Sequence, residues 1–206
     1  ISDRWVVTSY AALKVLNNKD TTYRVQAGML DHTNVTDSTE QFLSVQDIQF
    51  VNGFESDTHF NDIALLQLSK PLHFNQYVQP ICLPDSDENA MKPGHNAWFT
   101  SWGSSTKRDM VSDDLRQAEL FINDYEVCDN AVQWYNQNQH LCVGGVNGKS
   151  TCFNDMGGPL MRQNADGAWY LYGFSVSDKY TGTNCAHATV FTRATEFCWF
   201  YEEVAK

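Results

Sequence analysis

Four runs in the first seventy residues alternate, at least in part, between apolar and polar positions: Arg4-Trp5-Val6-Val7-Thr8, Tyr23-Arg24-Val25-Gln26-Ala27, Phe42-Leu43-Ser44-Val45-Gln46-Asp47-Ile48 and Ile63-Ala64-Leu65-Leu66-Gln67-Leu68. β-Branched and aromatic side chains dominate them, and the segments between are rich in Asn, Asp, Gly, Ser and Thr. That combination predicts the strands of an antiparallel sheet or barrel. A more polar bridge follows from Pro71 to Pro93, with Gln79-Pro80-Ile81-Cys82-Leu83-Pro84 in its middle; its proline spacing predicts a connector and not a central strand. Strand signals resume at Ala97-Trp98-Phe99-Thr100, Gln117 to Ile122, Gly158-Pro159-Leu160-Met161 and Trp169 to Phe174. Asp124 to about Trp134 and Thr195 to Val204 read as helices. No repeat at solenoid spacing and no low-complexity tract interrupts the pattern. The expectation is an all-β protein in two halves with a terminal helix.

Composition narrows the functional classes. The chain has 206 residues, 42% hydrophobic and 19% charged, which suits one sizeable core or two small ones and argues against disorder. Fourteen Lys and Arg against 25 Asp and Glu leave a net charge of −11, so neither nucleic acid nor an anionic membrane surface is expected as a partner. No run approaches the roughly 18 apolar residues of a membrane span, and no basic-then-apolar signal segment stands at the start. Any such signal has been removed or lies upstream. Six cysteines, none in a Cys-x-x-Cys pair, point away from zinc and towards disulfides in an oxidising, extracellular compartment. Asn34-Val35-Thr36 is a candidate glycosylation site; so short a pattern also arises by chance, and it counts only in company with the cysteines.

Candidate chemistry centres on Cys152-Phe153-Asn154-Asp155-Met156-Gly157-Gly158-Pro159-Leu160. This stretch resembles the nucleophile turn of the trypsin/chymotrypsin family of serine proteases, Cys-x-Gly-Asp-Ser-Gly-Gly-Pro-Leu. Other segments match that family in order: Asp3 to Thr8, Asn61 to Leu66, Gln79 to Pro84, Ser101-Trp102-Gly103 and Thr192-Arg193. The resemblance implies two packed six-stranded antiparallel barrels with a cleft between them. It makes residues 1–206 one domain: a first barrel over about 1–70, a connector over 71–93, and a second barrel with the terminal helix over 94–206. It also implies that the first barrel's opening strands are not in this chain, being held on an upstream fragment or lost.

The family mechanism needs a hydroxyl nucleophile, a histidine base and a buried aspartate that orients it. By resemblance the nucleophile position is Met156, whose thioether has no proton to give up and little nucleophilicity towards an amide. The histidine position is Ala11, in Thr8-Ser9-Tyr10-Ala11-Ala12, and a shift by one residue restores no base. Asp62 keeps its place but has no imidazole to orient, so a structural role accepting backbone or hydroxyl hydrogen bonds is expected. His32, His59, His73, His95, His140 and His187 lie beside no Ser or Cys in a recognisable motif. The oxyanion position is altered to Asn154, the non-glycine residue that best tolerates left-handed backbone. In active relatives the counterpart of Asp155 pairs with a new N-terminal amine, which is not identifiable here. The primary pocket is altered at Ser150, Val176, Ser177, Asp178 and Thr189, and the aspartate and the β-branched side chain are expected to narrow or close it.

The resemblance also implies disulfides Cys128–Cys142 and Cys152–Cys185. Cys82 and Cys198 remain, with Cys82 either tied to an upstream chain or bridged to Cys198. Together these readings describe a secreted, catalytically inactive protease homologue, needing no cofactor and no metal, that binds a protein as a cofactor, decoy or regulator in an extracellular protease or immune cascade. The alternatives are a structural or storage subunit of an extracellular assembly, a receptor ligand of growth-factor type, and an active hydrolase using substituted residues.

Overall fold

A computed structural model describes residues 1–15, 22–33, 39–104, 111–176 and 185–205. In chain order its elements are β1 (Trp5–Thr8), α1 (Tyr10–Val15), β2 (Arg24–Ala27), β3 (Gln41–Phe50), β4 (Ala64–Leu68), β5 (Asn96–Ser101), β6 (Arg116–Phe121), α2 (Tyr125–Asp129), β7 (His140–Gly144), β8 (Pro159–Gln163), β9 (Trp169–Ser175), β10 (Ala188–Arg193) and α3 (Cys198–Val204). The strands form two antiparallel sheets, ordered β1-β4-β3-β2 and β6-β5-β8-β9-β10-β7. The first sheet therefore has four strands among the described residues, at the four runs read from the sequence and short of a full six-stranded barrel, and β1 and β2 each pair on one side only.

Burial explains which strands are central. β4 is buried at four of its five positions because both of its edges are paired and both faces are covered. β3 is ten residues long, keeps only Leu43 buried, and shifts register between Val45 and Asp47, a bulge that bends the strand. Trp5, Ile63 and Leu65 of the first half pack in one cluster with Leu171 and Phe174 of β9 and with Phe197, Phe200 and Tyr201 at the C-terminal end. The halves are thus joined by shared core, each buried Leu or Phe contributing about 1.5–3 kcal/mol. A second cluster, including Phe99, Leu120, Leu141, Leu160, Tyr172 and Phe191, fills the larger sheet.

One expectation about the elements needs correction, and one strand carried none. The helix expected from Asp124 to Trp134 stops at Asp129: Asp124 provides no side-chain cap, and Asn130, Val132 and Asn136 are weak helix formers. Successive turns follow and place Val132 beside Cys128 and Cys142. The strand β7 gave no expectation because all five of its residues are buried and nothing alternates. The terminal helix stands as a 3-10 turn at Ala194–Phe197 leading into α3. Residues 81–83 run as a connector whose one bridge to the sheet joins Cys82 to Tyr170.

Cys128–Cys142 and Cys152–Cys185 are disulfides. Cys82 and Cys198 are free thiols, Cys82 exposed, so the Cys82–Cys198 bridge is not formed.

Candidate functional site

Where β1 runs into α1, Ser9 is fully buried and its Oγ accepts the Ala12 backbone N–H at 3.2 Å. That is the geometry of a helix N-cap. The same hydroxyl donates its proton to the Asp62 carboxylate, at 2.9 Å from Oδ1 and 2.8 Å from Oδ2. Asp62 Oδ1 also accepts the Ala11 N–H at 2.7 Å. The fully buried carboxylate therefore sits on the N-terminal end of α1, where unpaired backbone N–H groups favour negative charge. Ala11 presents a methyl group, 6% exposed, beside it.

His59 lies on the other side of Asp62. Its Nδ1 is 3.6 Å from Asp62 Oδ2, beyond hydrogen-bond length, and finds no hydrogen-bond partner. Its ring is 5.3 Å from that of Trp134, and its carbonyl lies 3.4 Å from His140 Nε2. His140 is fully buried, and its Nδ1 accepts the Asn136 N–H at 3.1 Å. Burial pushes the His140 pKa down to about 4; electrostatic interaction with His59 and Arg193 acts in the same direction, while the hydrogen bond to the His59 carbonyl and the Asp62 charge oppose it. The Ser9 proton points at Asp62 and not at an imidazole, so Ser9, Asp62 and His59 do not form a nucleophile-to-base chain, which requires contacts of about 2.6–3.2 Å in that order.

The cysteine-anchored turn approaches from the second half. Asn154 is exposed with φ of 67°, and Gly157 has φ of 82°. Gly157 donates to the Ser175 carbonyl at 2.7 Å, and Gly158 to the Asp155 carbonyl at 3.0 Å. A Cβ on Gly157 would fall 2.6 Å from Thr8 Oγ1 and 3.3 Å from the Ala12 methyl. Only glycine permits this approach. The turn is thereby seated against residues 8–12, and Met156 and Ala11 each lie one residue from the contact. Met156 is half-buried. Asp155 is buried, accepts the Cys152 N–H at 2.6 Å, and lines a cavity of about 190 Å3 with Gly103, Ser104, Arg116 and Ser150.

Of the five pocket positions, Ser177 and Asp178 lie outside the described residues, as does Asn34. Val176 is fully buried among Cys128, Val132, Cys142 and Val190. Thr189 is 2% exposed: its Oγ1 accepts from Thr151 at 3.1 Å, lies 3.5 Å from Ser150 Oγ and donates to the Val143 carbonyl at 3.4 Å. Ser150 also bonds the His187 carbonyl. Among the described residues no group of His, Cys, Asp or Glu is placed to hold a metal, and no helix is long and apolar enough to cross a membrane. Ser9 carried no expectation from the sequence, and His140 carried only that it stands in no recognisable catalytic motif. A serine immediately before a short apolar stretch is an N-cap signal that identifies Ser9; nothing local identifies His140.

Two antiparallel sheets sharing a core, with a disulfide-anchored turn from one seated beside a buried carboxylate of the other, define the chymotrypsin-type architecture. The chain belongs to the trypsin family, whose description, "Trypsin", matches residues 1–199. It is 30% identical over 201 residues to an ovochymase of Halocynthia roretzi, covering 96% of this chain and 12% of that protein. It is 30% identical over 187 residues to CLIP domain-containing serine protease B4 of Anopheles gambiae, covering 84% and 51%. Phenoloxidase-activating factor 3 of Holotrichia diomphalia is 30% identical over 223 residues, covering 99% and 62%. The chain spans less than two thirds of the length of each.

Proposed function

We propose that this chain is a secreted, catalytically inactive serine protease homologue that acts by binding another protein, as a cofactor, decoy or regulator in an extracellular protease or immune cascade. The observation that carries the reading is the pair Ala11 and Met156 at the family's base and nucleophile positions, on a scaffold whose Asp62 is engaged by Ser9 and the Ala11 N–H. A methyl group accepts no proton and a thioether yields none, so the proton transfer that begins acyl transfer has neither donor nor acceptor. The packed Thr189 and Val176 support a cleft that no longer receives a substrate side chain. In this reading residues 1–206 are one domain and Asp155 and Asn154 preserve the shape of the turn.

Two disulfides favour an extracellular setting, and Asn34 is the proposed glycosylation site. A protein partner suits three features. Cys82 is an exposed free thiol, fit for a disulfide to an upstream chain. The apolar trough of about 390 Å3 lined by Val6, Val7, Val25, Ala27 and Phe74 runs beside the one-sided strands β1 and β2. Strand edges and apolar troughs are places where polypeptide docks. The names of relatives such as phenoloxidase-activating factor 3 favour a role within a protease cascade. The test is hydrolysis of peptide and ester substrates by the isolated protein: no turnover is expected, and turnover abolished by replacing Asp62 or a histidine would overturn the reading.

A further inference from the structure

Among the described residues, Arg162 and Arg193 are half-buried, whereas the other Lys and Arg are exposed. Arg193 has its carboxylate in Asp87. Among the described residues Arg162 has none within ion-pair distance, although acidic residues outnumber basic ones by eleven. Its Nη1 donates to the Ala90 carbonyl at 2.7 Å and approaches His95 Nδ1 at 3.1 Å. These contacts fix the guanidinium plane and leave Nη2 and Nε without a protein acceptor among the described residues. The side chain lines a cavity of about 430 Å3 that contains no Asp or Glu.

The neutral groups around it are polarised the same way. Asn164 Oδ1 accepts the buried Tyr172 hydroxyl at 3.0 Å and Asn89 Oδ1 accepts Lys92 Nζ at 3.0 Å, and among the described residues neither NH2 group has an acceptor. Ser86 Oγ accepts the Glu88 N–H at 3.2 Å and keeps its proton free. Gln163 commits its Nε2 to the Gly167 carbonyl at 2.8 Å and offers Oε1. The result is one fixed cation, several donors and one acceptor, in a volume typical of small-molecule sites.

We infer that this pocket binds a monosaccharide-sized acidic sugar, its carboxylate or sulfate held by the Arg162 fork and its hydroxyls by Asn89, Asn164, Ser86 and Gln163. A guanidinium matches a planar carboxylate or a sulfate edge through paired N–H groups, and neutral amides match hydroxyls that both donate and accept. The site is separate from Ala11, Asp62 and Met156 and does not depend on whether the protein is inactive.

The test is titration calorimetry of the whole chain with glucuronate, galactose 6-sulfate, glucose and acetate. Saturable binding of either acidic sugar, with no response to glucose or acetate at the same concentration, is expected; the two acidic arms tell carboxylate from sulfate. Arg162→Gln should weaken binding roughly tenfold or more, the effect of losing a charged hydrogen bond. Asn89 is exposed, so Asn89→Asp should fold normally and weaken binding similarly by placing a carboxylate at the rim. Thermal melting of both variants controls for folding. No binding by either acidic sugar, equal binding by a folded Arg162→Gln protein, or acetate binding as tightly as glucuronate would overturn the proposal.

Discussion

Asp62 shows how one buried carboxylate can organise the start of a helix. Its carboxylate receives the Ser9 hydroxyl and the Ala11 N–H, and Ser9 in turn caps Ala12, so three side-chain contacts start a helix of only six residues. So short a helix has little stability of its own. Ser9→Ala would leave a fully buried carboxylate short of a donor, and a loss of about 1–3 kcal/mol in urea unfolding is expected. Gly157→Ala combines a left-handed backbone with a collision on Thr8, and a loss of about 1–3 kcal/mol is expected from strain alone. At this scale the sequence was partly legible. Asn154 at a left-handed position followed from its residue type, and the Asp62 motif from its spacing, but the second face of Ser9 depended on a residue 53 positions away.

Individual elements were legible where alternation survived burial on one face, as in β2 and β3, and illegible where it did not. β7 is buried throughout, and α1 is too short for a period to show. β7 also carries His140, and its depressed pKa has a measurable consequence. An exposed histidine in the unfolded chain titrates near 6.5, whereas His140 in the fold titrates near 4. Between these values the unfolded chain binds a proton that the folded chain refuses. Stability is therefore complete above about pH 6.5 and falls as the pH drops towards 4, by up to about 3 kcal/mol. Urea midpoints across that range should show a steeper acid loss for the native protein than for His140→Gln, whose amide oxygen can still accept the Asn136 N–H. Parallel curves would remove His140 as the cause. The Cys128–Cys142 bridge ties α2 to β7 across a separation of 14 residues. Replacing both cysteines by alanine should cost about 3 kcal/mol, read by the same unfolding measurement.

On the scale of the whole molecule, the halves share one cluster that includes Trp5, Leu65, Phe174 and Phe200, so they are expected to unfold together in a single calorimetric transition. The two-sheet architecture was legible because ordered segments along nearly the whole chain resembled one family. The four strands of the first sheet were legible as runs along the chain, but their order was not, since pairing partners are set by topology and not by local pattern. Cys82 lies exposed beside Trp169 and Tyr170, to which its backbone is joined. Mass analysis of the natural protein with and without reductant should release a second chain on reduction if that thiol is the covalent link; an unchanged mass would exclude the link.

In the proposed reading, Ala11 and Met156 leave no route to acyl transfer. The most direct measurement is hydrolysis of a diverse peptide and ester panel by the natural protein, alongside its Asp62→Ala variant. Rates indistinguishable from buffer are expected for both. Turnover by the natural protein that disappears in a folded Asp62→Ala variant would contradict that reading.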